Sequence, residues 1–276
     1  MDRTNVFTRL QNIDPKVLYL LLVVFVLTPL VKPMGLPITI TPEVQAAYAV
    51  LDKLPQGSMV LISMGTDPQT EAEGWPQALA FGRHLASKGH KMVVMALAAS
   101  SQPYAERLGA TLQTEFELEY GKDISVMAFR AGEEDAVAAL ANDFRRQYNT
   151  DYKNRPIGDL PMFSSITGVG SFRLVIDLAY KSSQQWFIRH VSGPKQIPLV
   201  VGVTAVFTAQ MMPFYASGQI KGLVSGLSGA AAYERLIGKP GMATKGMDAQ
   251  SMGHVLVLAS VLVGNIAYYF RRTGPK

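Results

Sequence analysis

Between residues 59 and 237 the chain alternates six short apolar runs with six amphipathic patterns, and no other feature restricts the possible folds so tightly. The apolar runs are Met59–Met64, Lys91–Ala96, Ile124–Phe129, Phe172–Leu178, Leu199–Thr204 and Ile220–Val224. The helical patterns are Glu71–Lys88, Gln102–Tyr120, Glu133–Tyr148, Ser183–Val191, Thr208–Ala216 and Ser228–Ile237. Strands that are apolar almost throughout must be covered on both faces, which implies a parallel sheet with a helix after each strand. Right-handed crossovers then yield an α/β fold, a Rossmann-like three-layer sandwich with a mostly parallel sheet. Gly89, Gly121 and Gly238 stand where left-handed helix caps are expected.

Residues 197–215, IPLVVGVTAVFTAQMMPFY, are long and apolar enough to suggest a membrane span. Pro198, Gln210 and Pro213 interrupt them, and the strand–helix cadence continues through them, so a strand followed by a helix is expected. The segment 150–171 is an irregular connection, and residues 37–246 are read as one domain.

The two ends have a different character. Residues 17–31 hold no charge, and with Met34–Ile40 the apolar stretch approaches the ~20 residues that cross a bilayer. Residues 253–270 form a second such stretch, closed by Arg271 and Arg272. One N-terminal transmembrane helix (17–36) and one C-terminal transmembrane helix (253–270) are therefore expected to flank the domain. The net charge of +5 belongs largely to the ends. Arg3, Arg9, Lys16, Arg271, Arg272 and Lys276 are set against only Asp2 and Asp14, leaving 20 basic and 19 acidic residues in the body. A near-neutral body argues against a nucleic-acid partner. Basic tails 1–16 and 271–276 place both termini in the cytoplasm, with the domain on the outer or periplasmic side of the inner membrane. On the second span Ser260 and Gly264 give the small-residue spacing that lets helices approach closely, and Asn265 is a polar group in need of a partner. The expected partners are the membrane itself and other membrane subunits, or a second copy through this helix.

The general pattern resembles Rossmann-like ligand-binding sandwiches such as bacterial solute-binding domains. In an open parallel sheet, ligands bind beyond the carboxyl ends of the strands. The candidates there are Thr66, Asp67, Arg130, Asp177, Thr204, Ser228 and Gly229. Asp67 could act as a ligand or base, or only cap an Asp-Pro turn, and Arg130 could pair with an anion or with Asp67. Ser228 could cap a helix whose free N–H groups hold an anion. Cysteine is absent and the four histidines are scattered, so neither a thiolate nor a metal centre is expected. No GxxxxGK[ST] loop, GxSxG elbow or HExxH pair occurs, and Gly168-Val169-Gly170 precedes a strand rather than following one. No cofactor is expected. These features favour a non-catalytic accessory, ligand-sensing or assembly subunit of a membrane complex. The alternative is a membrane-tethered hydrolase or transferase acting on a small anionic or lipid-linked substrate.

Overall fold

A computed structural model describes residues 13–273, with side chains described from 13 to 270. The tail residues Arg3, Arg9 and Lys276, and the side chains of Arg271 and Arg272, lie outside the described residues. The chain forms two compact units, Met1–Pro37 with Thr244–Lys276, and Ile38–Ala243.

In the first unit, α1 (Pro15–Val31) is followed by an extended segment, and the chain returns in the last helix, α9 (Met242–Thr273). In the second unit, strands β1 (Met59–Met64), β2 (Lys91–Ala96), β3 (Ile124–Val126), β4 (Leu174–Leu178), β5 (Leu199–Val203) and β6 (Gly222–Ser225) build one sheet. Every neighbouring pair is parallel, in the order β3-β2-β1-β4-β5-β6. This is the Rossmann order, with its direction of winding reversed between β1 and β4.

Seven helices of five residues or more clothe this sheet: α2 (Pro42–Asp52), α3 (Glu71–Ser87), α4 (Gln102–Phe116), α5 (Glu134–Asn142), α6 (Ser183–Phe187), α7 (Thr208–Ala216) and α8 (Gly226–Leu236). Side chains alternate along a strand, so β1 supplies Val60, Ile62 and Met64 to one face and Met59 and Leu61 to the other. The first face packs on α2, α3, α4 and α8 through residues such as Leu51, Phe81, Leu108 and Tyr233. The second packs on α5, α6, α7 and the turns between 157 and 172, through Leu140, Phe187, Met211 and Phe163. The result is a three-layer α/β sandwich with a six-stranded parallel sheet in the middle.

Several boundaries differ from the sequence reading for local reasons. Helix α2 was not expected, and it lies directly on β6: a methyl group on Gly222 would stand 2.3 Å from Ala47 Cα. Helix α4 ends at Glu117, which adopts the left-handed conformation (φ 55°), rather than at Gly121. The expected helix 133–148 is broken at Asp143, whose side chain caps the short turn Phe144–Gln147. Helix α6 continues as a π-turn over Ile188–Ser192. Residues 197–215 form β5 and α7, the strand and helix expected of them.

The apolar ends are also more structured than periodicity suggests. The stretch Met34–Ile40 does not prolong α1, which stops at Val31 after 17 residues. Instead the fully buried Asp248 carboxylate accepts the backbone N–H groups of Met34 (2.8 Å), Gly35 (2.9 Å) and Leu36 (3.0 Å). Gly35 takes φ +65°, which turns the three N–H groups toward one anion. Helix α9 runs alongside α1: a methyl on Gly253 would stand 3.9 Å from Val26 Cγ2 and 4.0 Å from Leu22 Cδ1. The less exposed face of α9 carries Ser260, Gly264 and the buried Ala267, while Asn265 is exposed. Ser260 donates its hydroxyl to Leu256 O within its own helix. Among the described residues, one helix is long and apolar enough to cross a membrane, Met242–Phe270 with a mean hydropathy of 1.6; α1 falls short in length.

Candidate functional site

Where the strand order reverses, the helices after β1 and β4 pack on opposite faces of the sheet, and a crevice opens above the strand ends. A cavity of about 220 Å³ occupies it, bounded by the ends of β1, β4 and β5, by α3 and by the start of α7. Its walls are mainly apolar, with Leu178, Phe207 and Met211 among them. Glycines set how closely the walls approach. A methyl group on Gly65 would stand 2.1 Å from Leu178 O, so only glycine lets the β1 turn lie against the end of β4.

Thr66, Asp67 and Thr204 line this cavity. The hydroxyls of Thr66 and Thr204 are buried with no hydrogen-bond partner among the described residues. Asp67 Oδ1 accepts from Gln69 N (3.0 Å), Thr70 N (3.0 Å) and Thr70 Oγ1 (2.9 Å), which makes it the turn-capping residue at the entry to α3. Glu73 Oε2 accepts from Ala205 N (2.7 Å), and Glu71 binds Arg107 and Tyr104. The first turn of α3 is thus lined by its own carboxylates. Lys181 lies at the cavity's edge and pairs with Glu133; both hold unusual positive φ angles, 51° and 47°.

Asp177 lies within the sheet, fully buried. Its Oδ2 accepts from Ser183 Oγ (2.7 Å), and Oδ1 is unpartnered. Burial pushes this carboxyl up to about 7, against the pull of the hydroxyls of Ser183 and, more weakly, Ser63. Ser63 occupies the paired position on β1 but outside hydrogen-bond geometry.

The remaining candidates lie elsewhere. Arg130 does not meet Asp67; its guanidinium binds Gln147 O, Asn149 Oδ1 and Thr150 Oγ1, because the segment after α5 returns to the edge of the sheet there. Ser228 and Gly229 border a second hollow of about 220 Å³ with Thr41, Glu43, Thr208 and Ser225. Ser228 is not the cap of α8: the helix begins at Gly226, whose φ of +62° makes the turn, and Ser228 lies exposed in its first turn.

The residue that sequence reasoning missed is Gln77. It lies on α3 and is 2% exposed. Its Nε2 donates to Val203 O (2.8 Å) and Gly226 O (3.1 Å), tying α3 to the ends of β5 and β6. Gln77 lines the cavity, and its Oε1 has no partner among the described residues. An amide on the otherwise apolar stretch Trp75–Phe81 was a visible signal, since a buried polar residue is the informative exception.

The Rossmann order raises the question of a dinucleotide, and these residues do not fit one. Its pyrophosphate needs a glycine-rich turn and open N–H groups at the first helix. Here Asp67, Glu71 and Glu73 stand in that place. Among the described residues, no group of three His, Asp or Glu side chains could hold a metal ion.

No family model matches the chain, and no curated protein matches it. Among solved structures it is similar to the shikimate dehydrogenase of Mycobacterium tuberculosis. That match has 16% identity and a TM-score of 0.33, covering 78% of this chain and 66%, just under two thirds, of that one. At so low a score the fold class rests on the strand order and register of the chain itself.

Proposed function

We propose that this chain is a membrane-tethered, non-catalytic ligand-sensing subunit. Its Rossmann-like domain would sit on the outer face of the cytoplasmic membrane, with both basic termini inside. The observation that carries the reading is the pairing of α1 and α9. Large apolar side chains such as Leu20, Val24, Val257, Leu258 and Leu262 are exposed around both helices. Water would not tolerate so continuous an apolar surface, whereas hydrocarbon would. At 1.5 Å per residue, the 17 residues of α1 span about 25 Å, within reach of a thinned or locally adapted bilayer. The Asp248 clip supports insertion of the two segments as a joined pair.

The ligand-sensing part rests on the crevice. Its two charged residues are already engaged, Asp67 in its turn and Lys181 with Glu133, which leaves no free acid–base pair for chemistry. The alternative reading, an enzyme for a small anionic or lipid-linked substrate, must contend with three carboxylates where the anion would lie. Native mass spectrometry after extraction in mild detergent tests the proposal. A stoichiometric membrane subunit, or a second copy bound through α9, is the expected result. A strictly monomeric particle without partner would overturn it.

A further inference from the structure

The cavity at the β1–β4 reversal contains hydrogen-bonding atoms that the chain leaves unused, and their chemistry defines what can enter. Gln77 Oε1 is an acceptor whose identity is fixed by its surroundings. Rotating the amide would set its oxygen against the carbonyls of Val203 and Gly226, which now take both N–H bonds. The oxygen lies beside Gly202, which lines the cavity with Gln77: a methyl on Gly202 would stand 2.5 Å from it. Thr66, 3% exposed, lines the same space, and its Oγ1 is likewise unpartnered, lying against Gly74, where a methyl would stand 2.5 Å away. Thr204 Oγ1 is a third such atom, from the end of β5. Buried polar atoms in native proteins are almost always satisfied. Three unpartnered atoms, on the turn after β1, on α3 and on the turn after β5, belong to residues around this one cavity.

We infer that the cavity binds a small uncharged molecule, with an N–H or O–H donor at its deep end and an apolar body, such as a primary amide or an alcohol. The inference rests on the reading of the domain as a ligand-binding module. Gln77 Oε1 would take the donor, and the hydroxyls of Thr66 and Thr204 would take the remaining polar atoms. Leu178, Phe207 and Met211 supply apolar contact. A charged group is excluded at the deep end, because the atoms there are neutral and burying an unpaired ion is far more costly than burying an amide. An anion would in addition face Asp67, while Lys181 is already paired with Glu133. At about 220 Å³ the space is below the roughly 300–1,000 Å³ of pockets for drug-sized ligands, so the molecule is small.

Four probes of similar size test this: benzamide and cyclohexanol, benzoate and benzylamine. Each is added to the full chain in detergent micelles, with saturation-transfer NMR and the shift in Tm as readouts. The control is Thr66→Val, which keeps the shape of the side chain and removes only its oxygen. Partitioning into the micelle is common to both chains and cancels. The expected result is binding of benzamide or cyclohexanol with a rise in Tm, weakened about 2- to 10-fold in Thr66→Val as befits one hydrogen bond. The inference is overturned if a charged probe binds better, if Thr66→Val binds the neutral probes unchanged, or if none of the four binds. Should Thr66→Val fail to fold, the ranking of the four probes on the native chain decides alone. Co-purification of a membrane partner is a separate readout, so failure here leaves the tethered-subunit reading to its own test.

Discussion

At the scale of single residues, burial decides what each candidate can do. Asp177 is sealed within the sheet, and its effect is on stability. The unfolded chain releases this proton near 3.8, whereas the folded chain retains it to about 7. Folding is therefore linked to proton uptake, and stability falls as pH rises from about 4 to 7. His84 acts in the opposite sense. Its ring, buried between α2, α3 and α8 and bonded to Tyr233 Oη at 2.7 Å, is driven down to about 4 from 6.5 by burial. Stability from that group is present above 6.5 and is lost as pH falls toward 4. The two effects oppose each other between about 4 and 6.5, and the further fall toward pH 7 is the contribution of Asp177. Asp177→Asn, followed by urea unfolding across pH 5 to 8, should remove the decline at the alkaline end and raise stability at pH 8 by about 1–3 kcal/mol. An unchanged pH profile would show that the carboxyl is not held protonated. For Asp67 the three bonds to its own turn give a different expectation: Asp67→Asn should cost about 1 kcal/mol in thermal unfolding and leave binding of neutral probes intact. A large loss of binding without loss of stability would return Asp67 to the site.

At the scale of elements, legibility in the sequence followed burial on both faces. Strands β1 and β2 were read to the residue because they are central and almost continuously apolar, and α7 likewise kept its expected bounds. The edge strand β3 is shorter than its apolar run: Met127 still donates to Val94 O of β2 but turns to bridge Asp151, and the pairing goes no further. Helix α2 was missed: its sequence, PEVQAAYAVLD, buries only Val44, Ala47 and Leu51, too narrow a stripe to stand out beside a longer apolar segment. The candidate site was legible as a place, since the strand ends named Thr66, Asp67 and Thr204. Gln77 was not read, because its role depends on Val203 and Gly226, more than 120 residues away in sequence. The Asp248 clip was hidden for the same reason, spanning over 210 residues. Asp248→Ala leaves three backbone donors without their anion, and amide hydrogen exchange of Met34, Gly35 and Leu36 should accelerate at least about tenfold, the equivalent of about 1.4 kcal/mol of lost protection. Unchanged protection would mean that the carboxylate does not hold this segment.

At the scale of the whole molecule, the proposed topology rests on a near-neutral body in the sequence and on two apolar segments with basic residues beyond them. The chain has no cysteine, so a single introduced thiol reports its own location without background. The most direct measurement is labelling of intact spheroplasts with a membrane-impermeant maleimide, using Glu117→Cys in the exposed turn after α4 and Thr4→Cys in the N-terminal tail. The expected result is that Glu117→Cys labels without lysis and Thr4→Cys labels only after permeabilisation. Labelling of Thr4→Cys alone in intact spheroplasts, or recovery of the chain in the soluble fraction, would contradict the arrangement.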